Sequence, residues 1–128
     1  MTPRTFLNDC RGVSAIEFAI VAPVFMAFLI GVIQVALWGW SGFAMQHAVE
    51  AASRCASINP TECADAATIR SRAAKGALGL PVVASDFTYT KEACGHRVAG
   101  RFSRFNFVSG FGLTGYTAQT AACFPAAL

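Results

Sequence analysis

The chain has 128 residues and a formal net charge of +3, and 55 % of its residues are apolar while 13 % are charged. This length leaves room for one small domain, which excludes a multidomain protein. The charged fraction is about half that of an average soluble domain. The excess of apolar residues therefore indicates a membrane segment.

The apolar residues are concentrated near the N-terminus, where residues 18–49 contain no Asp, Glu, Lys or Arg. A membrane-spanning helix needs about 20 such residues. The short leader, residues 1–12, carries Arg4 and Arg11 against Asp9. Because positive residues beside the first apolar segment stay in the cytoplasm, we expect a cytoplasmic N-terminus and an exterior location beyond about residue 45. An ordinary signal peptide has an apolar core of about 7–15 residues and a small-residue cleavage site, and this run is too long for one.

We expect a single helix over residues 13–58, with a transmembrane part at residues 13–45. Pro23 lies inside it, and membrane helices tolerate proline. Ala15, Ala19 and Ala22 recur at helical spacing. Such a stripe lets a second helix approach closely, although alanine is also common in membrane helices without any packing role.

The same helix becomes amphipathic after Phe43. Its narrow apolar stripe comprises Ala44, Ala48, Ala51, Ala52 and Cys55. Polar residues are expected to cover the remaining surface: Gln46, His47, Glu50, Ser53, Arg54 and Ser57. This half of the helix therefore offers a face on which an extracytoplasmic domain, residues 46–128, can pack.

A second helix is expected from Thr61 or Glu62 to Leu78. Thr61 is the expected N-cap, Glu62 and Asp65 fall in the first turn, and Gly79 with Pro81 ends the helix.

The tail has the pattern of β-strands, expected at residues 82–90, 97–107 and 116–124. A glycine-rich loop at residues 109–113 separates the last two strands. The fold class is therefore α+β: a long N-terminal helix, a second helix, and a three-stranded antiparallel sheet packed on the amphipathic half of the first helix.

Four of the five cysteines lie in the predicted exterior part, and the fifth, Cys10, lies in the leader. Four cysteines in an oxidising compartment indicate two disulfides, with three possible connectivities. We favour Cys55 with Cys63, which closes a short loop, and Cys94 with Cys123, which ties two strands. A zinc site is disfavoured because no Cys-x-x-Cys occurs and neither histidine has ligand spacing, so no metal or cofactor is expected.

Two chemical interpretations of the tail remain weaker than the structural one. Arg97, Arg101 and Arg104 could form a nucleic-acid patch, but three charges are few for such a footprint, and a solvated strand face is favoured; no nucleic-acid partner is expected. Cys94 beside His96 could form a thiol and base. No third orienting group accompanies them, and no other catalytic motif occurs, so we do not expect an enzyme.

Residues 11–18 resemble the processing site of type IV prepilins. In that family a basic leader ends in glycine, a membrane-embedded prepilin peptidase cuts after the glycine, and the fifth mature residue is glutamate. The resemblance implies cleavage after Gly12, with Val13 as the first mature residue and Glu17 as the fifth. On physical grounds alone, Glu17 would instead lie at headgroup level near the positive end of the helix.

A longer stretch, residues 11–45, is similar to the N-terminal motif of TadE-like proteins, the minor pseudopilins of tight-adherence (Tad, Flp, type IVc) pili. The motif is carried by Ala15-Ile16-Glu17-Phe18-Ala19 and by Val21-Ala22-Pro23-Val24. Cys10 and a first mature residue of valine depart from the pattern.

The resemblance implies a single-pass protein of the bacterial inner membrane with a periplasmic domain, available for incorporation into an adhesive surface pilus. It implies as partners the prepilin peptidase, other pilins and pseudopilins, the Tad assembly machinery and the lipid bilayer. It also implies an assembly role for Glu17, Ala15, Ala19, Ala22 and Pro23. The alternative is an unprocessed single-pass protein whose outer domain binds a partner or ligand.

Overall fold

The computed structural model describes residues 12–105 and 116–126. They form an α+β structure with two helices and one antiparallel sheet, as the sequence predicts. The helices are α1 (Val13–Ile58) and α2 (Ala66–Lys75), and a short 3-10 helix follows at Ala84–Asp86. The strands are β1 (Phe87–Glu92), β2 (Gly95–Phe105) and β3 (Tyr116–Phe124). Residues 1–11 of the leader and the glycine-rich loop at residues 109–113 lie outside the described residues.

Helix α1 has the bounds that its sequence predicts and contains Pro23 without interruption. The chain divides into two compact units, of which the first ends at Ala36 and the second begins at Leu37. In the first unit large apolar side chains are exposed, from Leu29 at 38 % to Phe18 at 73 %. Helix α1 is long and apolar enough to cross a membrane, and only 6 % of its most apolar 18-residue stretch is buried in the protein.

The second unit contains the hydrophobic core, to which the C-terminal part of α1 contributes one face. Its buried residues include Ala44, Met45, Ala48, Val49, Ala52, Cys55 and Ala56. The expected amphipathic stripe is therefore present but wider. Ser53, which we placed on the polar face, is fully buried. Its hydroxyl donates a hydrogen bond to the Glu50 carbonyl oxygen at 3.1 Å, which replaces the hydrogen bond to water that burial removes.

Helix α2 is shorter than predicted at both ends. Thr61 is not its N-cap: Asp65 is, and its carboxylate accepts a hydrogen bond from the Thr68 N–H at 2.7 Å. The preceding residues form a turn instead, since the Cys63 N–H donates to the Asn59 carbonyl at 2.9 Å and Cys63 is bonded to Cys55. The helix ends at Lys75, with Gly76 as C-cap.

The three strands form a sheet in the order β1-β2-β3, antiparallel throughout. Strand β1 begins at Phe87 and not at Val82, because the Asp86 carboxylate accepts from the Val83 N–H and the Asp86 N–H donates to the Val83 carbonyl, both at 3.0 Å. That turn forms the 3-10 helix. Strand β2 begins two residues earlier than predicted, and its expected end at Phe107 lies outside the described residues. Strand β3 matches its predicted bounds.

One face of the sheet completes the core with Phe87, Val98, Phe102 and Ala118, and α2 adds Ile69 and Ala73. The approach of the sheet to α1 is close: a Cβ added to Gly100 would lie 2.7 Å from Met45 Cε. The sheet thus packs on the amphipathic half of α1, as expected.

Both disulfides have the favoured connectivity. Cys55–Cys63 joins the end of α1 to the turn before α2, with Cα atoms 5.9 Å apart. Cys94–Cys123 joins the β1–β2 turn to β3, with Cα atoms 6.2 Å apart. The hydrophobic core is small, and disulfides add to the stability of small domains.

Candidate functional site

The expected cleavage position lies at the start of α1. Gly12 is exposed and directly precedes Val13, the first residue of α1. A Cβ added at Gly12 would meet no atom within 4 Å. The Gly12–Val13 peptide bond thus lies at the junction between the leader and the helix, on an open surface.

Glu17 lies on the same helix four residues beyond Val13, and it is exposed. The first turn of α1 contains no acidic residue, so Glu17 lies beyond the turn in which the helix dipole acts most strongly. Residues four apart share one face of a helix. A free amino group on Val13 would therefore lie about 6 Å along the axis from Glu17.

The small-residue stripe is available to a neighbour. Ala15 and Ala19 are exposed and Ala22 is half-buried. Pro23 has no N–H to donate to the carbonyl four residues before it, which belongs to Ala19. The three alanines and the Ala19 carbonyl oxygen, which receives no hydrogen bond from Pro23, therefore lie along one stretch of the helix. Large apolar side chains cover the rest of that surface.

The tail residues considered for catalysis are occupied by other contacts. Cys94 is in a disulfide, which contradicts the interpretation of a thiol nucleophile. The His96 Nδ1 lies 2.6 Å from the Tyr89 hydroxyl oxygen, and the two rings stack with centroids 5.9 Å apart. Partial burial raises the pKa of the Tyr89 hydroxyl. Tyr89 belongs to β1 and His96 to β2, and the Tyr89 hydroxyl occupies the Nδ1 side of the imidazole.

Arg97 and Arg101 of β2 lie on the sheet face opposite the core, and the Arg104 side chain lies outside the described residues. Arg97 donates to Glu92 Oε1 at 2.9 Å, and this bond lowers the pKa of the Glu92 carboxyl. Arg101 is exposed beside a shallow open depression that Ala99 and Gln119 also line. The exposure agrees with a solvated strand face. Within residues 12–105 and 116–126, no group of three or more His, Cys, Asp or Glu side chains has an arrangement for a metal ion.

The sequence did not indicate the contacts of His47 or the exposed apolar residues that follow α2. His47 Nδ1 lies 3.2 Å from the Gly76 carbonyl oxygen, while Leu78 and Val83 are 40 % and 50 % exposed. Residues 78–83 are visibly apolar in the sequence, but our prediction assigned Leu78 to the end of the second helix and Val82 to the start of the first strand.

In a comparison with protein families, residues 12–54 match the family described as TadE-like protein. The match covers about a third of the chain and confirms the resemblance seen at residues 11–45. The match therefore indicates a component associated with Tad pili. Together with the apolar helix, it indicates a single-pass membrane protein. Comparison with curated proteins and with solved structures found no match.

Proposed function

From the TadE-like segment at residues 12–54, we propose that this chain is a minor pseudopilin of a tight-adherence pilus, processed by a prepilin peptidase after Gly12. One observation carries the proposal: within the matched segment, an exposed glycine directly precedes an apolar helix whose fifth residue is glutamate. The periplasmic domain follows that helix, and its two disulfides suit the oxidising periplasm.

Processing needs a backbone that can enter a peptidase cleft. Gly12 suits this step because it has no side chain and no neighbour within 4 Å of its Cβ position. Cutting the Gly12–Val13 bond releases the leader and leaves a positive amino group at the start of α1. The same cut removes Arg4 and Arg11, so the mature N-terminus is less basic than the precursor.

Glu17 then acts as a register element during assembly. A carboxylate inside a bundle of apolar helices is costly unless it is paired. The released amino group of Val13, in the same chain or in a neighbour, supplies the partner. Because a shifted helix would leave both charges unpaired, the pair favours one axial position of neighbouring subunits.

Packing between helices supplies most of the assembly energy. In lipid, helices associate through close van der Waals contact at small residues, and the stripe of Ala15, Ala19 and Ala22 permits that contact. The large exposed side chains around it suit lipid or the helices of other pilins. The partners are therefore other pilins and pseudopilins, with the Tad inner-membrane machinery delivering the subunit.

N-terminal sequencing tests the processing step. The full chain is produced in cells with and without the matching prepilin peptidase and is then extracted from membranes. We expect Val13 as the N-terminus with the peptidase and Met1 without it. Gly12→Val adds a branched side chain at the cut and should leave Met1 intact in both, whereas Gly31→Val, inside the helix, should be processed normally. An intact Met1 in cells that contain the peptidase would support the alternative, an unprocessed membrane protein whose outer domain binds a partner or ligand.

The role of Glu17 is tested separately. We expect Glu17→Ala to insert and to be cleaved, while its recovery in purified pili falls at least about tenfold, because an amino group loses its partner. Glu50→Ala is the matched control, since Glu50 is exposed and its carboxylate accepts a hydrogen bond from Gln46 on the same helix. Normal recovery of the Glu17→Ala protein in pili would contradict the pairing.

A further inference from the structure

The exposed apolar residues of the second unit are unevenly distributed. Beyond Phe43, the large apolar side chains that are exposed in the described part of the chain are Ile58 at 68 %, Leu78 at 40 % and Val83 at 50 %. Two of these three lie in one short segment, residues 77–83, which connects α2 to the 3-10 helix. We call this segment the apolar loop.

The position of the apolar loop follows from the direction of α2. Before α2, Cys63 is bonded to Cys55 of α1. After α2, the Gly76 carbonyl lies 3.2 Å from His47 Nδ1, and a Cβ at Gly76 would lie 3.7 Å from Ala48 Cα. Helix α2 therefore runs antiparallel to α1, back toward the residues that precede His47.

The chain returns to the same level of α1 four residues after the apolar loop ends. The loop leads through the 3-10 helix to Phe87, and a Cβ added at Gly100 would lie 2.7 Å both from the Phe87 ring and from Met45 Cε. The loop thus begins beside Ala48, and the chain that follows it reaches the level of Met45. The loop occupies the end of the second unit at which α1 presents Trp40 and Phe43.

Trp40 and Phe43 mark the expected outer surface of the bilayer. They are 51 % and 61 % exposed, and their ring centroids are 6.3 Å apart. Tryptophan is enriched at the membrane–water interface, and the uncharged run of α1 continues only to Val49. The Phe43 and His47 rings are 6.5 Å apart, so the apolar loop begins about one helical turn from the aromatic pair.

The backbone of the loop turns apolar side chains outward. Leu78 has a φ of 49° and Gly79 a φ of 85°, and the left-handed region is unfavourable for leucine. Leu80 and Val82 pack against the core, whereas Leu78 and Val83 keep 40 % and 50 % of their surface exposed. Lipid would bury the part of the Leu78 side chain that the protein leaves exposed. Lys75, exposed at the end of α2, can reach headgroup phosphates while its stem lies on apolar surface.

We propose that the apolar loop is a second membrane contact, in which Leu78 and Val83 insert shallowly into the outer leaflet of the membrane that α1 crosses and Lys75 binds a headgroup phosphate. This contact fixes the orientation of the second unit on the membrane surface and so determines which face of the sheet is turned to neighbouring subunits. It rests on the membrane-spanning α1 of the proposed function and is independent of cleavage and pilus assembly.

Depth-dependent quenching tests the contact. The full chain is reconstituted, at one copy per disc, into nanodiscs of phosphatidylethanolamine and phosphatidylglycerol. A small polarity-sensitive fluorophore is attached through an encoded azide side chain at position 78, 83, 58 or 43, one position per sample. Lipids with a nitroxide near the headgroup quench a fluorophore that lies at shallow depth. We expect quenching at 78 and 83 to approach that at 43 and to exceed that at 58 by about threefold, since interfacial apolar groups lie about 5–10 Å deep.

Ile58 is the matched control because it is equally apolar and exposed but lies at the opposite end of the second unit. Formation of both disulfides, checked by mass under non-reducing conditions, shows that each labelled protein is folded. Quenching at 78 and 83 no greater than at 58, with strong quenching at 43, would overturn the proposal and leave the membrane-spanning helix intact. Weak quenching at 43 would contradict the membrane placement of α1, and the proposed contact would fail with it.

Discussion

The two units of the chain place their large apolar side chains in opposite environments. In the first, Phe18 is 73 % and Phe28 is 67 % exposed, although both lie in a continuous helix. In the second, Phe87 is 1 % exposed and Val98 is fully buried. Residues of the same kind thus need lipid or neighbouring helices in one unit and find partners within the chain in the other.

The difference shows which unit can be stable without a partner. The buried residues of the second unit include seven alanines: Ala44, Ala48, Ala52, Ala56, Ala73, Ala77 and Ala118. Small side chains allow α2 and the sheet to approach α1 closely, but each buries little area. The stability of the second unit therefore depends on a few large side chains, on two disulfides and on exact backbone fits, whereas the first unit depends on its surroundings.

Replacement of one phenylalanine in each unit gives the largest expected difference. Phe87→Ala should lower the free energy of unfolding of the second unit by about 3–5 kcal/mol, because it removes a buried ring and leaves a cavity. Phe18→Ala should change it by less than about 0.5 kcal/mol. Amide hydrogen exchange at Val98, in the central strand, measures both variants in detergent micelles. Equal protection of Val98 in the two variants would contradict the contrast between the units.

Glycine replacements give the next effect. Gly95→Ala should destabilise the second unit by about 2–3 kcal/mol, because Gly95 has a φ of 117° and an added Cβ would lie 2.1 Å from the Phe124 carbonyl oxygen. Gly31→Ala is the matched control, since nothing lies within 4 Å of its Cβ position and alanine favours a helix. Hydrogen exchange at Val98 is again the measurement. A Gly95→Ala protein as stable as the Gly31→Ala protein would show that the end of β3 adapts to the added methyl group.

Sequence patterns predicted the parts of the fold where one physical signal dominates. The bounds of α1 and of β3 were predicted to the residue, since an unbroken apolar run and a flanking Asn-Pro pair leave little choice for the helix. The favoured cysteine pairs also agree with the structure. These features depend on composition and on distances along the chain.

The errors occurred where tertiary contacts chose between local signals. Thr61 and Asp65 are both acceptable N-caps, and the bond from Cys63 to Cys55 excludes the earlier start. Residues 78–83 have strand propensity, yet the hydrogen bonds between Asp86 and Val83 turn the chain before the sheet begins. At the candidate site, the order of Gly12, Val13 and Glu17 was evident from sequence, whereas the pairing of Glu17 depends on neighbouring subunits and stays a prediction.

The smallest expected effect concerns pH and the two helix starts. Helix α2 has 10 residues, a length at which an isolated helix is marginal, so its N-cap matters more than any single residue at the start of the 46-residue α1. The hydrogen bond from the Thr68 N–H lowers the pKa of the Asp65 carboxyl below its ordinary value of 3.8. Because the folded pKa is the lower one, the stabilisation is complete above pH 3.8 and is lost as the pH falls through the folded value.

We therefore expect Asp65→Ala to lower the thermal midpoint of the second unit at neutral pH and to flatten its decline in acid. Asp65→Asn keeps the cap without a titrating group and should flatten only the acid decline, while Ser14→Ala, at the start of α1, should change neither. An acid decline that is the same in the wild type and in the Asn variant would show that other carboxylates, such as Glu92, whose pKa is lowered by Arg97, account for it.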